Sequence, residues 1–297
     1  MGLNGVGSLW SDTWAQYTKQ FAVLAEILLL PSLVMVLGYV LLALGMPLFT
    51  ALGGLVVFLG AIFLTYSVLP LIYAIHHGTG VDASYKATLA WFWPFIWVTI
   101  LEVLAVWGGF VMLIIPGIWL AFALGLMRYV FVVENRRGID ALRQSRDYVK
   151  GYWWAFVGRA LLVGLATAAI VFVFDIPFSA FAGHLAGSIV SLLVSVVAGP
   201  FSAIYVYLIY QNLRTLKPEV VAMERTKEGT GFIKASAIVG LVAGVIAIFL
   251  ILLAVALGIA ATIRGGGHLH VSTGTGSYGT PMIPAPAPGS GGSAPRQ

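Results

Sequence analysis

Glu26, Glu102 and Arg159 are ionisable residues that fall inside long apolar stretches of this sequence. Each sits about 5–10 residues from the Lys/Arg-rich end of its stretch, which in a helix is roughly 8–15 Å of depth. A lone charge at such a depth in a membrane costs about 3 kcal/mol, so a partner or a water-filled pocket is expected. Arg159 has the forked donors to bind one carboxylate in bidentate fashion. The second carboxylate is then left to find water or a proton, the arrangement that a proton-linked transporter uses. The same residues would also serve as a structural ion pair between helices, or as side chains that snorkel to the interface.

A second group is cationic. Ile139, Leu142, Val149 and Tyr152 form an apolar stripe at helical spacing, while Arg143, Arg146 and Lys150 lie towards the other side, just after Arg136 and Arg137. This pattern predicts a basic amphipathic helix lying in the membrane interface. Each cation there would contribute on the order of 1 kcal/mol towards an anionic leaflet. Anionic lipid headgroups are therefore the expected partners of Arg136, Arg137, Arg143, Arg146 and Lys150. Ordinary positive-inside anchoring uses the same cations, and the spacing does not separate the two.

Other chemistries lack their residues. The chain has no cysteine, no His-Glu-x-x-His helix, no phosphate-binding Gly-x-x-x-x-Gly-Lys and no Gly-x-Ser-x-Gly elbow. No catalytic residue, cofactor or metal site is expected. His268 and His270 are two ligands without a third. The basic residues are accounted for by topology, so nucleic acid is not expected as a partner.

The elements that must carry these residues are membrane helices. Of 297 residues 60% are hydrophobic and 9% charged, far from the roughly 25% charge of a soluble domain. Seven stretches approach the roughly 20 apolar residues of a spanning helix: 21–44, 47–73, 93–114, 118–133, 153–174, 185–210 and 235–263. The run from Pro94 to Val133 is about twice the length of a span, so it is expected to turn back at Pro116-Gly117. With the N-terminus cytoplasmic and the C-terminus outside, thirteen of the sixteen Lys and Arg fall in cytoplasmic segments. The inverse orientation would move them all across the membrane. No cleavable leader is apparent in the first twenty residues.

Val81-Asp-Ala83 and Ile139-Asp-Ala141 open two similar units, followed by the aromatic clusters Trp91-Phe-Trp93 and Tyr152-Trp-Trp154. In a first unit Trp10, Trp14, Tyr17 and Phe21 share one helical face suited to headgroup depth. The fold expected is all-α: a polytopic bundle of about seven spans, built as three helical hairpins with interfacial amphipathic helices. Residues 1–20 form an N-terminal interfacial helix and 21–214 a six-span core. A charged cytoplasmic loop at 215–234 leads to a seventh span at 235–263, where Gly240-x-x-x-Gly244 matches a helix-packing pattern. The Gly- and Pro-rich segment 264–297 is expected to be a disordered extracytoplasmic tail.

Three passages bring a family into view: Arg128-Tyr-Val-Phe-Val-Val-Glu134, Gly138-Ile-Asp-Ala-Leu-Arg-Gln-Ser145 and Val149-Lys-Gly-Tyr-Trp-Trp154, with the Ile114-Ile-Pro-Gly-Ile118 turn before them. Over about residues 8–215 the chain resembles the membrane domain attached to some bacterial glycerophosphodiester phosphodiesterases. That domain also occurs alone in membrane proteins of unestablished activity. The resemblance implies a polytopic domain, and no phosphodiesterase activity, because the catalytic barrel has no counterpart here.

The function expected is therefore a non-enzymatic protein of the plasma or inner membrane that organises the bilayer or binds anionic lipid. A small transporter or lipid translocator built on Glu26, Glu102 and Arg159 is the alternative, and an accessory subunit of a lipid-metabolising enzyme, hence a protein partner, is the third. A compartment reporter fused after Arg296 is expected to read extracytoplasmic. A cytoplasmic signal would overturn the count of seven spans.

Overall fold

The computed structural model describes residues 2–222 and 229–265, with side chains to 258. Arg225, Lys227 and most of the tail, with His268 and His270, lie outside the described residues. Two compact units, 1–247 and 248–297, divide the chain. The described part of the second, from Ile248, is helical, with exposed side chains.

Every regular element among the described residues is helical. The helices are α1 (Val6–Ala43), α2 (Pro47–His77), α3 (Val81–Thr88), α4 (Phe92–Met112), α5 (Ile114–Ala123), α6 (Met127–Val133), α7 (Ile139–Val149), α8 (Trp153–Ala182), α9 (His184–Leu216), α10 (Pro218–Val221) and α11 (Gly231–Gly265). Seven helical segments are long and apolar enough to cross a membrane. The third runs through α3 and α4, and the fourth through α5 and α6. A polytopic helical bundle of about seven spans is thus the architecture.

Several boundaries differ from the expectation for physical reasons. No Gly or Pro interrupts residues 8–30, so the N-terminal amphipathic stretch and the first span form one helix of 38 residues. At 1.5 Å per residue this is about 57 Å long, well beyond a bilayer core. Between α4 and α5 the chain turns at Leu113, which is extended at φ −167°, ψ 153°. Pro116 then occupies the first turn of α5, where a missing N–H costs nothing. The segment 175–184 is not a loop: α8 runs to Ala182 and α9 starts at His184. Asp175 is inside α8 and accepts a hydrogen bond from the Ser191 hydroxyl of α9 at 2.8 Å.

Two of the three units share a local arrangement. Gly80 and Gly138 precede α3 and α7, and Asp82 and Asp140 sit in their first turns, where a carboxylate favours the positive helix end. Each short helix leads into an aromatic-led long one.

Prolines inside the long helices leave carbonyls without their usual donors. Pro31 in α1 has no N–H for the Ile27 carbonyl, and the Tyr85 hydroxyl of α3 donates to it at 2.8 Å. In α9 two main-chain carbonyls also receive a hydroxyl from a neighbouring helix, Val197 from Tyr17 and Ala203 from Tyr129, both at 3.0 Å. In hydrocarbon such groups cannot turn to water, so a neighbouring helix must supply the partner.

The seventh span packs on the fourth helix at its start. A Cβ at Gly108 would overlap the Ser236 carbonyl oxygen, and one at Gly240 would overlap that of Leu104. Gly244 faces open space, so the small pair at this crossing is Ser236 and Gly240, one turn earlier than the Gly240-Gly244 pattern. The Ser236 hydroxyl lies 3.8 Å from the Met112 sulfur. In this cysteine-free chain, a Met112→Cys/Ser236→Cys pair is expected to form a disulfide on mild oxidation, identified as a crosslinked peptide by mass spectrometry. Adding Gly240→Leu should abolish it. Equal crosslinking with Leu at 240 would disprove the close crossing.

Candidate functional site

The fourth span is broken. α5 ends at Ala123, Leu124–Leu126 form a turn, and α6 begins at Met127. Ser145 of α7 fits into this break. Its hydroxyl donates to the Ala123 carbonyl at 2.9 Å and accepts from the Leu126 N–H at 3.1 Å. Ser145, Ala141 and Leu142 are all fully buried. Helix α7 is therefore packed inside the protein, because its neighbours need its polar groups and cover its apolar ones.

Glu134, at the end of α6, organises the other side of α7. One carboxylate oxygen accepts from the hydroxyls of Tyr148 and Tyr210, each at 2.6 Å. The other accepts from the Gln144 amide, which also donates to the Val220 carbonyl at 3.1 Å. Burial, and then the adjacent carboxylate, hold the Tyr148 hydroxyl well above the ordinary phenol value of 10.0. Its folded pKa is thus higher than its unfolded one. The stability this contributes is complete below about pH 10 and is lost only as pH rises further.

The cations read as headgroup ligands are used in the same assembly. Arg143 lies 3.5 Å from the Asp147 carboxylate, and Arg146 binds the same group at 2.8 and 3.0 Å while donating to the Gly229 carbonyl at 2.5 Å. Arg143 and Asp147 are each only 8% exposed, so a substitution such as Arg143→Glu would break the fold before it tested lipid. Arg137 donates to the Phe131 carbonyl and lies over the rings of Phe131 and Trp91, 3.9 and 4.9 Å from their centroids. Arg136 is partly buried and engaged as well. Lys150 is exposed. Its carbonyl, like that of Asp147 at 2.7 Å, accepts from Lys217, whose burial lowers its pKa from 10.5.

Glu26, Glu102 and Arg159 do not meet. Glu26 is exposed, and no ion pair reaches it among the described residues. Glu102 on α4 is 3.9 Å from Arg128 of α6. Arg159 of α8 instead donates to main-chain carbonyls: Nε and Nη2 to Asn4 at 3.1 and 2.8 Å, Nη2 to Leu3 at 3.3 Å and Nη1 to Ala155 at 2.8 Å. Matched depth did not imply proximity because the three first helices of the hairpins face different neighbours.

A groove of about 590 Å³ opens between α1, α8 and α9. Its walls are Trp10, Trp14 and Tyr17 of α1, Val163, Ala166, Thr167, Ile170 and Phe174 of α8, and Leu193, Val194, Val197, Ala198 and Phe201 of α9. Phe201 is the centre of the aromatic stripe, with ring centroids 4.8 Å from Trp10, 6.4 Å from Trp14 and 5.8 Å from Tyr17. Two lining hydroxyls are satisfied internally: Thr167 meets Ser202 at 2.6 Å, and Tyr17 donates to Val197. What remains is a hydrocarbon wall, of the volume usual for a small-molecule pocket.

The roles of Ser145, Glu134, Gln144 and Tyr210 were absent from the sequence reading. Spacing along the chain could not show that Glu134 and Gln144 converge with Tyr210, 76 positions beyond Glu134. No family profile, curated protein or solved structure matches the chain.

Ser145→Ala would leave a buried carbonyl and a buried N–H without partners, at a cost of about 1–3 kcal/mol. Glu134→Gln would set an amide donor against three donors and cost about as much. Both are expected to lower the unfolding temperature in detergent, while Glu26→Gln leaves it unchanged. Parallel melting curves for Ser145→Ala and wild type would remove Ser145 from this role.

Proposed function

We propose that this is a non-enzymatic integral membrane protein that binds membrane lipid by holding an acyl chain in the groove between α1, α8 and α9. The groove itself carries the reading. It is predominantly apolar, its two lining hydroxyls are already bonded to the protein, and it is framed by helices long enough to place it within a bilayer. Counted from the start of α8, its lining residues Val163–Phe174 lie about 15–32 Å along the helix. An apolar cleft at that depth is in contact with lipid chains, which are the molecules at highest local concentration. Trp10 and Trp14, at 41% and 56% exposure, stand at its Lys/Arg-rich end, where indoles favour the interface.

The distribution of Lys and Arg supports a cytoplasmic N-terminus and a location in the plasma or inner membrane. No ion pair joins Glu26, Glu102 and Arg159 among the described residues, which favours the lipid reading over a transporter built on them. An accessory role beside a lipid-metabolising enzyme is compatible with the same groove, and the resemblance of 128–154 to the phosphodiesterase-associated membrane domain favours it.

Filling the groove tests the reading. Ala166→Trp places an indole in it from a partly exposed position. Native mass spectrometry of gently purified protein is expected to show retained phospholipid on wild type and little on Ala166→Trp, with both unfolding at similar temperature. Equal retention by the two folded proteins would refute the groove as the lipid site.

A further inference from the structure

A cation stands one helical turn before the first groove residue of α8. Arg159 stands on the same stripe of α8 as Val163, Thr167, Ile170 and Phe174, at i, i+4, i+8, i+11 and i+15. Its guanidinium faces only neutral acceptors, the carbonyls of Leu3, Asn4 and Ala155. No carboxylate lies within ion-pair distance of it among the described residues. Its neighbours in charge, Arg128, Arg143 and Arg146, all have a carboxylate.

The acceptors at Arg159 belong largely to one short segment. Leu3 and Asn4 precede α1, and Asn4 is tied down by α9 through a reciprocal pair. The Asn4 N–H donates to the Asn212 side-chain oxygen at 3.0 Å, and the Asn212 amide donates to the Asn4 side-chain oxygen at 3.2 Å. A cavity of about 250 Å³, lined in part by Asn4, Asp12 and Asn212, lies against this segment, so polar contacts and the partly buried Leu3 hold it. Residues 2, 4 and 5 are exposed.

We infer that Arg159 is the binding site for the phosphate of an anionic phospholipid whose acyl chain occupies the groove, and that residues 2–5 are a strap that competes for the same donors. This rests on the lipid reading above and adds to it the headgroup class and a means of control. A phosphate offers oxygens to the forked donors as the two carbonyls do, with a full charge in addition. A lipid phosphate fits better than the free ion, because the donors sit at the end of the stripe that leads into the apolar groove. Release of the Asn4–Asn212 pair lets the segment swing away and exposes the guanidinium without altering it.

The experiment uses the full chain in nanodiscs of mixed phosphatidylglycerol and phosphatidylcholine, with the lipids retained on release counted by native mass spectrometry. Wild type is expected to prefer phosphatidylglycerol modestly. Asn212→Ala should raise that preference roughly fivefold, the scale of one cation at an anionic surface. Arg159→Gln should erase the preference while total retained lipid persists, and Arg159→Gln/Asn212→Ala should behave like Arg159→Gln alone. An unchanged preference in Asn212→Ala would overturn the strap, and an unchanged preference in Arg159→Gln would overturn the headgroup site. Excess inorganic phosphate is expected to leave lipid retention as it is, and displacement of the lipid by it would overturn the lipid assignment. Failure of the groove itself reads differently: wild type would then retain neither lipid.

Discussion

A backbone carbonyl or N–H freed within a membrane has no water to turn to, and most of this architecture follows from that constraint. The fourth span breaks after Ala123, and Ser145 bonds both sides of the break. Pro31 opens a carbonyl in α1, and Tyr85 closes it. In each case the donor comes from another helix, so a local irregularity becomes a tertiary contact. Helix α7 shows the effect most fully. A short basic amphipathic segment looks like a surface feature, yet its serine, glutamine and tyrosine are required inside, and the helix is drawn in with them.

That burial also settles where the charges go. A cation brought away from water needs a carboxylate, a carbonyl or an aromatic face, and Arg137, Arg143 and Arg146 each find one within the protein. Charge density in the sequence is therefore a poor guide to the surface presented to lipid. Arg159 follows the same rule with carbonyls, and it is a single cation in a helix whose other side chains are almost all apolar, one turn from a groove.

The helical class, the seven apolar stretches and the two short-helix starts were legible because each rests on local composition. A stretch of twenty apolar residues has few alternatives, and Val-Asp-Ala and Ile-Asp-Ala mark equivalent helix starts wherever they fold. The turn before α5 was misplaced by three residues because proline breaks helices in general but is tolerated in their first turn, as Pro116 is. Convergence was not legible. Glu134, Gln144, Tyr148 and Tyr210 meet because α6, α7 and α9 pack together, and that packing depends on shape. Equal depth along Glu26, Glu102 and Arg159 carried no information about which way each helix turned its face.

The stitch at Ser145 also bears on biogenesis. The groups it satisfies lie 19 and 22 positions earlier in the chain. At about 5–20 residues per second, a ribosome takes roughly one to four seconds to make that stretch. For that interval the fourth segment leaves the ribosome with a gap in its ladder and nothing to fill it. Until α7 emerges, one carbonyl and one N–H of that segment lack the partner that the folded protein gives them, so the fourth segment is completed only by the helix that follows it.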